Sequence, residues 1–291
     1  GMTTYMGTMD VSTAAPTMSA TGDTVGFIGT SAPSTAAPTM AAVGDVVSFT
    51  ATSAPSTAAA TMSSSGTYTA PAGISAIQRS AKATGTTSAA PSWPAATTAN
   101  NALVLVLVAS TKSSGPSGPT ITWPTGYTEA TSANSGGGTA AVIVAVAKNL
   151  NAASESGSKT VSVSWGTDVH CVAWLIEVGG LVSGGTVDGS SVATNSVTTT
   201  ITTGPFATTA ANEFLIAALG CISPGFTGND VLTPTNSFTL EDHEGYDFGG
   251  VPNAGAGSGY SDRIVSATGT YSTGATANNS SYVAGCLVCL K

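Results

Sequence analysis

Leu103-Val-Leu-Val-Leu-Val108 is an unbroken run of six apolar residues in a chain otherwise rich in Thr, Ser and Gly. Such a run is typical of a strand that is covered on both faces or lies at the centre of a sandwich. Lys159-Thr-Val-Ser-Val-Ser-Trp165 instead alternates, which places Val161, Val163 and Trp165 on one face of a strand. Apolar runs at 140–146 and 169–178, separated by turn-forming clusters, predict further strands. The pattern indicates an all-β chain built from antiparallel sandwiches of jelly-roll type.

The composition supports the same fold class. Only 8% of the residues are charged, against about 25% in typical soluble proteins. Thr is β-branched and suits the solvent face of a sheet, whereas the Lys and Glu residues that usually coat surface helices are scarce. This chain therefore has little with which to cover a helix.

The charge balance excludes several kinds of partner. Seven basic and fifteen acidic residues give a net charge of −8, and the basic residues are scattered. Nucleic-acid binding requires clustered Lys and Arg, so we expect none. No apolar stretch is long enough to span a bilayer, so we expect no membrane insertion. The N-terminus lacks a basic start followed by an apolar segment, so we expect no secretory signal peptide.

Matching segments in the two parts of the chain after residue 85 indicate a tandem duplication. The pairs, all separated by the same distance along the chain, are Thr97-Thr-Ala-Asn-Asn-Ala-Leu103 with Thr208-Thr-Ala-Ala-Asn-Glu-Phe214, Tyr127-Thr128 with Phe238-Thr239, and Val172-Ala173 with Val283-Ala284. One offset at three separated places is difficult to obtain without duplication. We therefore predict two tandem β-sandwich domains, at residues 76–182 and 183–291.

A shorter repeat occupies the N-terminal segment. Ser12-Thr-Ala-Ala-Pro-Thr-Met18 recurs unchanged at 34–40 and then, at the same spacing, as Ser56-Thr-Ala-Ala-Ala-Thr-Met62. Each unit contains about two large apolar side chains, too few to offset the entropy of ordering it. A disordered linker is the alternative, but it would not need Phe at constant spacing. We predict that residues 1–75 form an extended β segment that assembles with another chain through Val25, Phe27, Val47 and Phe49.

Candidate catalytic groups are few. The chain has two histidines, and none of the common nucleophile, zinc-protease or phosphate-loop motifs is present. We interpret His170 as a polar residue at the edge of a strand. Cys286 and Cys289 form a Cys-x-x-Cys, but an extended chain points them to opposite faces. We predict buried thiols and no enzymatic activity.

Glu241-Asp-His-Glu-Gly-Tyr-Asp247 is the one local concentration of charge. We interpret it as a solvated loop, equivalent to a loop near residues 130–135. If the loop curls, Glu241, Asp242, Glu244 and Asp247 could bind Ca²⁺, which takes six to eight oxygen ligands. If the segment is extended, these carboxylates diverge to alternate faces. Calcium is therefore a candidate only for the curled form, and we expect no other cofactor.

Aromatic residues could bind a cell-surface glycan by stacking on sugar rings. Trp165 and Trp174 fall on core-like faces, so we expect both to be buried. Trp93 and Trp123 lie near turns, where partial exposure is expected, and they are the candidate glycan contacts.

The first copy resembles the β-sandwich modules common in tail-fibre and virion-surface proteins of tailed bacteriophages. The resemblance covers roughly residues 85–291. Its segments are Asn101-Ala-Leu-Val-Leu-Val-Leu-Val108, Trp123-Pro-Thr-Gly-Tyr-Thr128, Val161-Ser-Val-Ser-Trp165 and Ala173-Trp-Leu-Ile-Glu-Val-Gly-Gly180. The second copy departs from this pattern, with Asn236-Ser-Phe238 at the turn and Val288 in place of Glu177.

The resemblance implies a virion structural protein, located on the particle and therefore extracellular after lysis. Such a protein would be a capsid decoration or a tail or fibre component that contacts other copies of itself, with a trimer expected, and other virion proteins. The alternative function is a glycan- or receptor-binding adhesin module on a phage tail or a cell surface.

Overall fold

The computed structural model describes residues 73–112, 118–137, 140–150, 152–181, 185–226, 232–249 and 254–291, and the strand backbone of 2–6, 17–21, 24–31, 39–43, 46–53 and 61–64. The chain divides into two compact units, Gly1–Ala72 and Gly73–Lys291. All regular elements within the described residues are strands, so the all-β prediction is confirmed. Among the same residues, no helix is long and apolar enough to cross a membrane.

The first unit contains two parallel sheets with three strands each. Its strands are β1 (Met2–Met6), β2 (Thr17–Thr21), β3 (Thr24–Ser31), β4 (Thr39–Val43), β5 (Val46–Ser53) and β6 (Thr61–Ser64). The sheet orders are β1-β3-β5 and β2-β4-β6. Val25 pairs with Val47 and Phe27 with Phe49, so the four predicted assembly residues lie at matching register positions. Gly22-Asp23, a pair that favours a turn by its sequence, lies outside the described residues.

The second unit consists of two halves, 73–181 and 185–291. The first half contains β7 (Ser75–Arg79), β8 (Ala83–Gly85), β9 (Ser88–Ala89), β10 (Ala102–Thr111), β11 (Thr120–Thr122), β12 (Thr128–Gly137), β13 (Ala140–Asn149), β14 (Val161–Ser164) and β15 (Val169–Gly179). The second half contains β16 (Val187–Thr202), β17 (Phe206–Ala207), β18 (Glu213–Pro224), β19 (Leu232–Thr235), β20 (Thr239–Asp247), β21 (Ala254–Val265), β22 (Thr270–Tyr271) and β23 (Gly274–Leu290).

Each half contributes one large antiparallel sheet, and the two sheets have the same strand order. The first runs β12-β13-β10-β15-β7, with β8 also paired to β15, and the second runs β20-β21-β18-β23-β16, with β19 also paired to β23. Equivalent strands therefore occupy equivalent places. Smaller sheets, β11-β14-β9 and β17-β22, lie outside these paths.

The two large sheets share one hydrophobic core, and this explains the apolar run from which the fold was predicted. Val104, Val106 and Val108 enter the core between the sheets, together with side chains of β18, β21 and β23. The alternate residues Leu103, Leu105 and Leu107 enter a second core beneath β9, β11 and β14. Every residue of β10 is buried, so the prediction of a strand covered on both faces is confirmed.

Equivalent residues in the central strands of the two halves are one position further apart along the chain than the sequence comparison suggested. Leu103 pairs with Glu177, and the equivalent pair in the second half is Leu215 with Cys289. The sequence comparison instead equates Leu103 with Phe214, which faces the shared core. Because successive residues of a strand point to opposite faces, an error of a single position exchanges the two faces.

Both halves carry β-bulges at equivalent places. One interrupts β12 between Glu129 and Thr131, and its counterpart interrupts β20 between Leu240 and Asp242. The acidic segment 241–247 is therefore an edge strand with a bulge, and the expectation of a loop there is wrong. The same holds for residues 130–135, which belong to β12. Charged side chains are a common protection for an edge strand, which is why the segment has few apolar residues.

Candidate functional site at the charged seam

Strand β20 of the second half lies beside the first half, and the polar side chains that join them form the charged seam. The seam contains Arg79 and Lys82 from the first half, and Glu241, Glu244 and Asp262 from the second. Arg79 ends β7, Lys82 precedes β8, and the acids come from β20 and β21. All of the ion pairs in this group cross from one half to the other.

Arg79 makes the central contact of the seam. Its Nη2 lies 2.6 Å from Oδ2 of Asp262, and its Nε lies 3.4 Å from Oε2 of Glu241. Burial raises the pKa of Asp262, and the hydrogen bond from Arg79 opposes that increase. Burial also raises the pKa of Glu241, and the neighbouring Asp262 carboxylate raises it further. One guanidinium therefore lies beside two neighbouring carboxyl groups whose pKa values are both raised.

The other acids of β20 have separate partners. Lys82 Nζ lies 2.6 Å from Glu244 Oε2 and donates to the carbonyl of His243 at 2.9 Å. Trp174 Nε1 donates to Asp242 Oδ2 at 2.9 Å. Asp247 instead accepts the backbone N–H of Gly249 at 2.8 Å, within its own turn. Three of the four predicted metal ligands are therefore engaged by side chains of the first half.

The arrangement gives the calcium hypothesis no converging ligand set. Within the described residues, no group of three or more His, Cys, Asp and Glu side chains could hold a metal ion. A calcium site needs several oxygen atoms directed at one point. Here the carboxylates lie along an extended strand and contact Arg79, Lys82 and Trp174.

Large aromatic side chains fill the space beneath the seam. Trp174 and Tyr260 have ring centroids 5.3 Å apart, and both are buried in the core between the sheets. His170 stacks on Tyr246 with centroids 3.7 Å apart and an interplanar angle of 3°. Tyr246 in turn meets Phe248 edge-on at 4.9 Å. The seam is thus ionic at its rim and aromatic inside.

His170 lies deeper than the sequence suggested. It stands near the start of β15 and is only 7% exposed, whereas we expected a polar residue at a strand edge. Burial lowers its pKa, and the nearby Glu244 carboxylate partly opposes this. Ser110 is its cross-strand neighbour, but Ser110 Oγ and His170 Nε2 each lack a hydrogen-bond partner among the described residues. The two residues therefore do not form the hydrogen-bonded nucleophile–base pair of a hydrolase.

The tryptophans differ in how far they reach the surface. Trp165 and Trp174 are buried, as predicted, but Trp93 is also buried, with 5% exposure. The expectation that Trp93 is partly exposed is wrong, because it packs in the core beneath the small sheet of the first half. Trp123 is half-buried and its Nε1 donates to Glu129 Oε2 at 3.3 Å.

The cysteines are buried thiols in the strands, as predicted. Cys286 faces the core between the large sheets, and Cys289 faces a cluster on the other side of its strand. The prediction that this pair points to opposite faces is confirmed. Burial raises the pKa of Cys171 to about 12, so its thiol is a poor nucleophile at neutral pH.

The basic residues before the first apolar strand are a sequence signal for the seam. Arg79 and Lys82 are two of only seven basic residues, and they stand close together before the first apolar strand. Such a pair is a natural complement for the only acidic segment. More than half of the chain separates the pair from that segment, and this hid the connection because no local pattern links the two.

Comparison with known proteins finds no matching family model, no matching curated protein and no matching solved structure.

Proposed function

We propose that this chain is a structural component of a virion, either a capsid decoration or a tail or fibre protein. It assembles with other copies, as a trimer, and with other virion proteins through residues 1–72. It displays residues 73–291 on the outside of the particle, and it has no catalytic role.

The charged seam is the observation that carries this proposal. The ion pairs of the seam join the two halves of the second unit, and its carboxylates do not converge on one point. In enzymes, clustered ionisable groups usually line a cleft. Here Asp262 is 7% exposed and Trp174 is fully buried, and each has its partner in the opposite half. This burial supports a stabilising role for the seam.

The layered arrangement of the second unit supports the same function. Each half forms a large sheet with a smaller sheet over its outer face, which we interpret as two sandwiches packed through their large sheets. The chain is rich in Thr and Ser, and only 8% of all residues are charged. These features agree with the resemblance to virion-surface modules of tailed phages.

The first unit supplies the means of assembly in this proposal. Its sheets have three strands each, and each strand has only four to eight residues. Small sheets of this kind generally need further strands or a packing surface to be stable. A segment with that need is suited to bind other chains.

Removing residues 1–72 tests the proposal. We expect residues 73–291 to stay folded and soluble as a monomer, because this unit has its own cores. We expect the full chain to form an oligomer under the same conditions. The mass of each species in solution, measured by light scattering, would show the difference. An oligomer that survives the truncation would contradict assembly through residues 1–72.

A further inference from the structure

We infer that strand β6 binds strand β2 of a second copy of this chain as its parallel, in-register neighbour. This inference rests on the proposed assembly through residues 1–72 and names the contact that carries it. It concerns the sheet with order β2-β4-β6, in which β2 and β6 are the two edges.

The existing pairs in this sheet join strands of nearly the same sequence. Thr17 pairs with Thr39 and Met18 with Met40, and the next step pairs Thr39 with Thr61 and Met40 with Met62. Each step across the sheet therefore advances the chain by one repeat. The same pairing therefore occurs twice within one chain: each Thr-Met strand pairs in parallel with the Thr-Met strand of the preceding repeat.

The edge of β6 is where the same pairing can occur again. Within the described residues, β6 pairs only with β4, and β2 pairs only with β4 on its opposite edge. The edge of a strand presents N–H and C=O groups that can pair with another chain, and adding a strand to such an edge is a common mode of recognition.

The strand that pairs with the open edge of β6 should have the same Thr-Met sequence, and this identifies the partner as a second copy. Thr-Met followed by two Ser or Ala residues occurs only at 17–20, 39–42 and 61–64 in this chain, so no later segment can continue the pattern. Strand β4 is already paired on both edges. Strand β2 of another copy has the matching sequence and an edge of its own, and like residues stacked in parallel register pack well against each other.

The resulting contact is head-to-tail, because β6 of one copy meets β2 of the next. Contacts of this type close into a ring or continue as a filament. A ring of three copies would be the trimer proposed above. The contact between β6 and β2 is the same in a ring and in a filament.

Disulfide formation between two variants of the full chain tests the register. Met18→Cys and Met62→Cys are purified separately under reducing conditions, mixed, and oxidised. Neighbouring strands lie about 4.8 Å apart, within the Cα separation of roughly 4.4–6.8 Å that a disulfide spans. The native cysteines do not interfere, since all four are 0% exposed. We expect a covalent dimer in which peptide mass spectrometry finds position 18 joined to position 62.

Met40→Cys mixed with Met62→Cys is the matched control, and it should give no dimer because β4 has no open edge. A 62-to-62 dimer from Met62→Cys alone would overturn the head-to-tail contact in favour of a symmetric one. Assembly through residues 1–72 without an 18-to-62 disulfide would also overturn the inference, while leaving the proposed function intact. A full chain that stays monomeric would overturn both.

Discussion

Two buried carboxylates hold equivalent turns in the two halves, but they come from different strands. Glu177 in β15 accepts the backbone N–H of Thr98 at 2.8 Å and the side-chain amide of Asn101 at 2.6 Å. In the second half, Asp188 accepts the N–H of Thr209 at 2.6 Å. Thr209 is the counterpart of Thr98 in the duplicated Thr-Thr-Ala segment, so the same N–H is satisfied in each half. The turn needs an acceptor, and the fold permits more than one residue to supply it.

Hydrogen bonds to Glu177 and Asp188 stabilise the charged form of both carboxyl groups. Burial raises the pKa of Glu177, but hydrogen bonds from Gln78, Thr98 and Asn101 outweigh that effect and leave it below its ordinary value. Burial acts likewise on Asp188, and contacts with Lys291 and Thr209 lower its pKa to about 2. A depressed carboxyl pKa stabilises the folded state above the unfolded pKa. This contribution is lost as the pH falls below about 4.

His170 gives a pH dependence of the same direction in a higher pH range, but here the charged form is the one that burial disfavours. Its pKa is lowered by burial, so the folded state loses stability as the pH falls below about 6.5, the unfolded value. His170→Phe should keep the stacking on Tyr246 and remove this loss. We expect the variant to lose less unfolding free energy than the unchanged protein between pH 7 and pH 5, with a limit for one group of about 1.4 kcal/mol per pH unit. Urea unfolding at the two pH values measures it.

The second histidine gives a matched control for that measurement. His243 is exposed, so His243→Gln is the control for removing a histidine without changing a buried site. Glu241 and Asp262 have raised pKa values and gain stability as the pH falls, but they are present in every variant and cancel. An identical pH response in His170→Phe and the unchanged protein would refute the assignment.

The central strands were predictable because the burial of their faces determines directly which of their positions are apolar. β10 and β15 are buried along their whole length, and a strand covered on both faces is apolar over most of its length. β14 alternates because only one face is covered, and Val161 and Val163 occupy the covered positions. In these strands the local pattern and the tertiary environment agree.

β20 was not predictable by the same reasoning. Its residues are at best half-buried, and its acids are stabilised by Arg79 and Lys82 from the other half. Nothing within the segment itself indicates a strand, since it is paired by the next element, β21, and its cation partners are distant in sequence. The candidate site was therefore found in the sequence as a concentration of charge but given the wrong local structure.

The Arg79 contact should stabilise the molecule measurably. Arg79→Met removes the cation beside Asp262, which is almost fully buried, and leaves two carboxyl groups close together. We expect a loss of roughly 1–3 kcal/mol in unfolding free energy at pH 7, the usual cost of leaving a buried polar group without its partner. Because both carboxyl pKa values are raised, the loss should shrink as the pH falls toward 4. Denaturant titrations at several pH values measure both effects.

Arg263→Met is the matched control, since these are the two arginines of the chain. Arg263 lies over the ring of Tyr271 at 5.4 Å and donates to the carbonyl of Asn236 at 3.2 Å. It joins no ion pair with described residues in the seam. We expect a change within about 0.5 kcal/mol, as for ordinary surface positions. Equal losses in the two variants would show that the seam contributes nothing specific.

At the scale of the molecule, the two halves belong to one compact unit. Val104 and Val106 of the first half pack in the same core as Phe214 and Ile216 of the second. The sequence could not reveal this, because an apolar strand does not say which sheet covers it. The hydrophobic pattern of a strand is the same whether the second sheet that covers it belongs to its own half or to the other half.

The shared core predicts that the halves unfold together. To test this, a protease site is inserted between Leu181 and Gly185 and the purified protein is treated with the protease. We expect the two fragments to remain associated in size-exclusion chromatography and to melt in one transition, because separation would expose the apolar faces of both large sheets. Two independent transitions, or dissociation after cutting, would show that each half is stable alone.

The equal strand order of the two halves has a consequence for symmetry. In a dimer of identical chains, a two-fold axis forces every contact to occur twice, so any change on one side is repeated on the other. Two halves within one chain are not subject to that restriction. One side of this unit has Arg79 beside Glu241, while on the other side β12 lies close along β16 and Ser135 Oγ donates to the carbonyl of Asn195. The contacts on the two sides can therefore differ, although the strands between them have the same order in both halves.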